Sequence, residues 1–272
     1  MDVRMGEVIA EGKTKIIRSI RQRPDLVLVE SKNDITAGDG KKHDVMEGKA
    51  EWSTATTCNV FRLLKRAGIP VAFVDRLDKT HFYARRCEML PYEVVVRREA
   101  HGSYLKRHPD VAKGFRFSEL EVEFFLKTTE KRWGDYKLPK DDPLIVFSAY
   151  GSAMLFPPDV PISSQQPFLA GTLPYSNKRD YIEFIARQTF LILEKAWDAL
   201  GFRLADFKEE FGIDVETGEL LLADVIDNDS WRLLKGDRYF DKQNYRDGAL
   251  LDAVKADYAR VAELSAQLGC DS

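Results

Sequence analysis

The chain has 272 residues, 44% of them hydrophobic and 31% charged, with a formal net charge of −3. That length supports one large domain or two lobes around a core that needs no covalent staples, and the slight acidity argues against a protein that grips nucleic acid through a basic face. Cys58, Cys87 and Cys270 stand far apart with no CxxC pair, which argues against a disulfide framework or a zinc site and fits thiols kept reduced in the cytoplasm.

Residues 1–12 carry acids and no apolar signal region. The most apolar long stretch, residues 181–200, is interrupted by Glu183, Arg187, Glu194, Lys195 and Asp198, so no membrane span is expected and the chain reads as cytoplasmic. Near the start, Glu11-Gly-Lys-Thr-Lys15 lacks the spacing of a Walker loop, but two lysines beside a glycine at a strand edge can set point charges against phosphates. Residues 26–30 (Leu-Val-Leu-Val-Glu) read as a strand between polar turns. Residues 33–42 place Gly38 and Gly40 among small hydroxyl and acidic side chains, a loop whose backbone N–H groups could approach an anion, or a plain exposed turn. Residues 50–67 have helical spacing, ended by Gly68-Ile-Pro70 before a strand at 71–74. Strands follow at 93–97 and 120–126. Residues 128–178 hold seven of the eleven prolines; regular structure is expected to be sparse there, in either a functional loop on the active-site rim or a contact between copies in a homo-oligomer. Residues 182–200 form an amphipathic helix with Gly201 as its stop. Two short strands, around 204–207 and 220–223, flank a turn-rich connection, and a helix over 248–268 closes the chain. Strands and helices mix without a βαβ rhythm, which predicts an α+β fold.

The residues with chemistry lie late in the chain. Strand alternation puts Asp206, Lys208 and Glu210 on one face, and Asp224 follows the next apolar strand. Carboxylates meeting across such a hairpin suit Mg²⁺, which takes one or two of them plus phosphate oxygens; a solvated charged face is the bland reading. Arg97, delivered by a strand, precedes a Gly102-Ser103 turn and the cations Lys106 and Arg107, which suit carboxylate or phosphate capture or else form a charged surface. His101 reads as structural. Asp241-Lys-Gln-Asn-Tyr-Arg246, with Arg232 and Arg238 upstream, reads by itself as a charged loop before a helix.

In order, EGKTK, NDITAGDG, VVVRREAHGSYLKR, DFKEEFG, LADVIDNDSWR and DKQNYR resemble the SAICAR synthetase family, with wording in 224–232 similar to the animal enzymes, where this unit is fused to a carboxylase. The resemblance implies a two-lobed fold: a small β-rich lobe over residues 1–90, a larger α+β lobe over 91–272, and an ATP site between them. It implies ligation of L-aspartate to the carboxylate of carboxyaminoimidazole ribonucleotide (CAIR), with ATP and Mg²⁺ and no nucleic-acid or membrane partner. By position, Lys13 and Lys15 would meet the ATP phosphates with Lys208 among them, Met89 and Leu90 would lie beside adenine, and Lys127 would reach the nucleotide. Glu210 and Asp224 would hold magnesium. Arg97, Ser103 and Arg232 would bind CAIR, Lys242 and Arg246 would line its pocket, and Asp39 would lie near the substrates. Where relatives usually have Lys-Asp-Asp and then Asp-Pro, this chain has Lys127-Thr-Thr129, with Asp142-Pro143 only after an insertion; the acidic pair is either relocated to Asp141-Asp142 or dispensable. A kinase or ligase acting on a different carboxylate would lack the arginines, and a non-catalytic ATP-binding scaffold would lack Glu210 or Asp224.

Overall fold

The computed structural model describes residues 5–38, 41–128, 132–133, 136–137 and 141–269. The chain divides into two compact units: the first comprises Met1–Glu88, Ile192–Leu204 and Gly212–Ser272, the second Met89–Leu191 and Ala205–Phe211. The chain passes from the first unit to the second after Glu88 and returns twice to the first, because one helix and two long strands each run through both.

The first unit is built on a five-stranded antiparallel sheet, in the order Met5–Glu11, Lys15–Ile20, Leu26–Ser31, His81–Arg85, Phe73–Arg76. Its central strand is the apolar run of the sequence; Val27, Leu28 and Val29 are all buried, as a strand covered on both faces requires. Helix Lys49–Arg66 buries Val60, Phe61 and Leu64, with Phe61 stacked 5.9 Å from Phe73. Gly68, at φ +85°, turns the chain out of that helix in a conformation that costs glycine nothing. The hairpin Asp34–Ala37/Lys42–Val45 seats Ile35 in a cluster with Met46, Tyr245, Val254 and Tyr258, so the glycine loop is tied to the closing helix Leu251–Ser265.

The second unit is a sheet in the order Phe168–Thr172, Ser152–Phe156, Leu144–Phe147, Arg116–Leu126, Cys87–Glu99, Arg203–Asp214. Helix Arg179–Asp198 buries Ile182, Ile185, Ala186 and Phe190 in this unit, with Phe190 5.8 Å from Phe207 of the last strand.

Residues 128–178 differ from the sequence expectation: they contribute three of these strands. Their prolines bracket the strands instead of interrupting them. Pro143 precedes Leu144–Phe147, Pro157 follows Ser152–Phe156 and Pro167 precedes Phe168–Thr172, so among the described residues of this segment no proline falls within a strand. Leu144 and Phe156 pack with Val95 and Phe125 in one cluster, and Ile145 and Leu155 are also buried. Residues 144–172 therefore extend the core sheet. Leu155→Ala is expected to destabilise the protein by about 2–5 kcal/mol, the usual result of emptying a buried leucine site; chemical denaturation would measure it, and a loss below about 0.5 kcal/mol would return the segment to surface decoration. The strands expected at 204–207 and 220–223 are one long strand, Arg203–Asp214, and its short partner Leu220–Ala223.

Candidate functional site

In the second unit the strand Arg203–Asp214 presents the polar face its alternation implies. Asp206 Oδ2 accepts from Arg97 Nη1 at 2.9 Å, Lys208 Nζ donates to Glu93 Oε2 at 2.8 Å, and Lys127 Nζ donates to Glu210 Oε2 at 2.6 Å. Glu93 and Arg97 share one parity on the neighbouring strand Cys87–Glu99, so these contacts form a ladder along a single face. The other parity is core: Phe207 and Phe211 are 0% and 1% exposed. Glu209 lies on that core side, fully buried with neither carboxylate oxygen partnered, and burial pushes its carboxyl well above the usual range. Its place in an apolar parity was the signal, and sequence reasoning passed over it.

Arg97, expected to bind substrate, is only 3% exposed. Its Nε donates to Glu123 Oε2 at 2.7 Å, and its Nη1 to Asp206 and to the His101 carbonyl at 3.5 Å. Burial pulls its pKa down, but Glu123 and Asp206 outweigh that and hold it charged. Glu123 also takes Arg107. Arg97 is therefore the centre of an interior ion network, not an open clamp, because the facing strand supplies Glu123 beside it. Ser103 opens the short helix Ser103–Arg107 and is half-buried. His101 is buried with Nε2 3.3 Å from Glu99 Oε2, in keeping with a structural role. Met89 is exposed while the Leu90 side chain is buried, so of that pair only Met89 offers a side chain to a ligand. At the departure after Lys127, Asp142 Oδ1 accepts from the Thr128 N–H at 2.7 Å and the Asp142 N–H donates to Thr128 Oγ1 at 3.2 Å. Asp142 thus ties Thr128 to the start of the strand Leu144–Phe147.

In the first unit, Lys13 is exposed in the turn closed by the Gly12 N–H donating to the Lys15 carbonyl at 2.9 Å. Lys15 pairs with Asp224. Asp224 has φ +64°, a left-handed backbone unusual for any residue but glycine and of a kind concentrated at functional sites. The preceding strand holds it there: Leu222 bridges Val71, and Leu221 and Ala223 pack on Ala72.

The segment 241–246 gathers the other cations. Asp241 is fully buried; its oxygens accept the N–H groups of Gln243 at 2.6 Å and Leu233 at 2.7 Å, and burial pushes its carboxyl up to about 7. Arg232 Nε and Arg246 Nη1 each donate to Gln243 Oε1 at 3.3 Å. Lys242 Nζ lies 3.6 Å from Asp229 Oδ2, which also meets buried Lys49 at 3.1 Å, while Tyr258 donates to Asp229 Oδ1 at 2.5 Å. Burial lowers the Lys242 pKa; burial also opposes the charge on Asp229, but Lys49, Lys242 and Tyr258 hold that carboxyl well below its ordinary range. Lys42 from the glycine hairpin donates to the Tyr245 carbonyl at 2.8 Å, and Tyr245 donates back to Asp44 Oδ2 at 2.7 Å. One unit thus brings the glycine hairpin, Arg232, Lys242 and Arg246 together. Asp39, in that hairpin's loop, lies outside the described residues. Lys49, Asp229 and Gln243 were missed; only Lys49 left a trace in the sequence, as a charge in register with the buried helix positions Ser53, Thr57, Val60 and Leu64.

Among the described residues no three or more His, Cys, Asp or Glu side chains gather as a metal centre. Glu210 in the second unit and Asp224 in the first each present a hard carboxylate oxygen to a lysine, a ligand type suited to Mg²⁺ and not to a metal that prefers thiolate or imidazole. No helix of the described residues is long and apolar enough to cross a membrane.

A family model described as SAICAR synthetase matches residues 8–264. The phosphoribosylaminoimidazole-succinocarboxamide synthase of Chloroflexus aurantiacus is 42% identical, over 98% of this chain and 99% of its own length. A Homo sapiens bifunctional phosphoribosylaminoimidazole carboxylase/phosphoribosylaminoimidazole succinocarboxamide synthetase is 39% identical over 95% of this chain and 58% of its own. Among solved structures, the phosphoribosylaminoimidazole-succinocarboxamide synthase of Ehrlichia chaffeensis superposes with a TM-score of 0.77 at 27% identity, over 97% of this chain and 100% of that one. A SAICAR synthetase in complex with ADP gives 0.75 at 28%, over 94% and 97%.

Proposed function

The chain belongs to the SAICAR synthetase family, and on that premise we propose how its residues perform the ATP-dependent ligation of L-aspartate to the CAIR carboxylate. The observation that carries the proposal is the pairing of lysines with carboxylates: Lys15 on Asp224, Lys127 on Glu210. Without ligands, each ammonium and each carboxylate is the other's counter-ion. A nucleotide arriving with a divalent cation supplies both replacements at once, phosphate oxygens for the lysines and a metal for the carboxylates, so neither charge is left bare.

A carboxylate is a poor electrophile. Transfer of the γ-phosphoryl group to a CAIR carboxylate oxygen makes an acyl phosphate and releases ADP; the aspartate amine then attacks the acyl carbon, loses a proton, and phosphate leaves. The protein's share is positioning and charge stabilisation. Lys13, Lys15, Lys127 and Lys208 bind phosphates, and the Met89 side chain lies against the adenine, with Leu90 contributing backbone only. Arg232, Lys242 and Arg246 hold CAIR, and Ser103 is a further CAIR ligand. Arg97 acts from the interior by fixing Asp206 on the ladder. Glu210 and Asp224 each supply a ligand to magnesium, which when bound neutralises phosphate charge. ADP release measured with ATP, aspartate and CAIR, each omitted in turn, tests the reading: turnover is expected only with all three, and ADP release independent of CAIR or aspartate overturns it.

Arg232→Lys is expected to raise KM for CAIR by about 10–100-fold, because an ammonium cannot reproduce a planar two-pronged donor and a charged hydrogen bond is worth roughly 1.5–3 kcal/mol. Unchanged kinetics in this variant would remove Arg232 from the pocket.

A further inference from the structure

Among the described residues, Glu123 and Gln243 each hold a pair of arginines, and they differ in charge. Glu123 bridges Arg97 and Arg107. That carboxylate is nearly closed to solvent, and despite burial its two arginines keep its pKa below the ordinary value. This is a compensated interior network. Gln243 bridges Arg232 and Arg246 through one carbonyl oxygen, at 3.3 Å to each, using both lone pairs of a neutral acceptor. Its amide nitrogen donates to Asp247 Oδ1 at 2.8 Å, which fixes which end of the amide faces the arginines. Gln243 and Arg232 are half-buried and Arg246 is exposed, so the arrangement lies where a solute can reach it.

We propose that Gln243 is a positioning and specificity-determining residue, whose neutral side-chain carbonyl holds Arg232 and Arg246 side by side for a multiply charged anion of the nucleotide substrate, a phosphate monoester or carboxylate. A carboxylate in this place would hold the two guanidinium groups at least as firmly, as Glu123 does, but would add a negative charge facing the incoming anion. An amide gives the geometry without that charge. The local backbone is set independently: Asp241 fixes the turn by accepting the Gln243 and Leu233 N–H groups. Changing the Gln243 side chain therefore leaves that scaffold in place. The inference rests on the proposed role of Arg232 and Arg246 in binding CAIR.

The test compares Gln243→Glu and Gln243→Leu with wild type, reading KM for CAIR, KM for ATP, kcat and the thermal midpoint. For Gln243→Glu, KM for CAIR is expected to rise at least about tenfold, since like charge now faces the substrate, with KM for ATP and kcat within about twofold; the midpoint is expected to move little, because the stronger hold on two arginines is offset by repulsion from Asp247, to which the amide nitrogen had donated. Gln243→Leu is expected to raise KM for CAIR by a smaller factor, through loss of alignment. A purely structural role predicts the reverse order, with Glu tolerated and Leu lowering the midpoint, and that result overturns the proposal. So does a Gln243→Glu enzyme with unchanged KM for CAIR. Wild-type protein that shows no CAIR-dependent ADP release sinks the functional reading itself, a failure distinguishable from this one because it appears before any variant is made.

Discussion

Asp224→Asn is expected to lower kcat by about 10²–10³-fold or more while leaving the thermal midpoint unchanged or slightly raised. A metal ligand acts on charge that develops during phosphoryl transfer, worth several kcal/mol, and each ~1.4 kcal/mol is tenfold in rate. Stability should not follow, for two reasons visible in the backbone and its surroundings. Asparagine accepts the left-handed conformation at φ +64° at least as readily as aspartate. The partner lost is Lys15, whose side chain keeps 23% of its exposure and can be hydrated instead. Steady-state kinetics across a magnesium titration, with a melt of the same preparation, would decide. A variant that melts early and is inactive in proportion would make Asp224 a structural residue; one that keeps full activity would remove it from the metal site.

Arg97→Met is expected to cost about 3–5 kcal/mol of stability, because it takes from the buried carboxylates of Glu123 and Asp206 the guanidinium they share. For a chain of this size that corresponds to a fall in thermal midpoint of roughly 5–15 °C. Glu123 keeps Arg107, which places the expected loss toward the lower part of that range. If the midpoint holds and only CAIR affinity collapses, Arg97 is the ligand clamp that its motif suggests, and the interior network is incidental.

The contrast between Asp224 and Arg97 shows where the sequence was legible. Period-two alternation located the ladder Asp206, Lys208, Glu210, because side-chain direction in a strand is set by local geometry alone. The helices, near 50–67 and 182–200, were readable for the same reason. Exposure of Arg97 was not readable: it depends on which residue the neighbouring strand sets beside it, and Glu123 lies 26 positions away. The strands at 144–147, 152–156 and 168–172 were masked by their own punctuation, since seven prolines signal loop unless their phase against the apolar runs is followed. Lys49 and Asp229 meet across an even longer span, and a charge at an apolar helical position was the only local sign of that pair.

The chain crosses between its two units four times, and the first unit is finished only by Gly212–Ser272. On a ribosome this imposes an order of completion opposite to the order of synthesis. The first 88 residues emerge early, yet their helix Lys49–Arg66 has nothing to pack on at the face later covered by Leu251–Ser265. The second unit has all its strands once Phe211 is out. At ordinary elongation rates the early sheet, complete by Arg85, and its helix therefore wait on the order of ten seconds for the rest of their unit. During that interval Ile35, Met46 and the buried face of the first helix are the surfaces a chaperone would meet, and slowing translation beyond codon 212 would prolong their exposure without changing the finished protein.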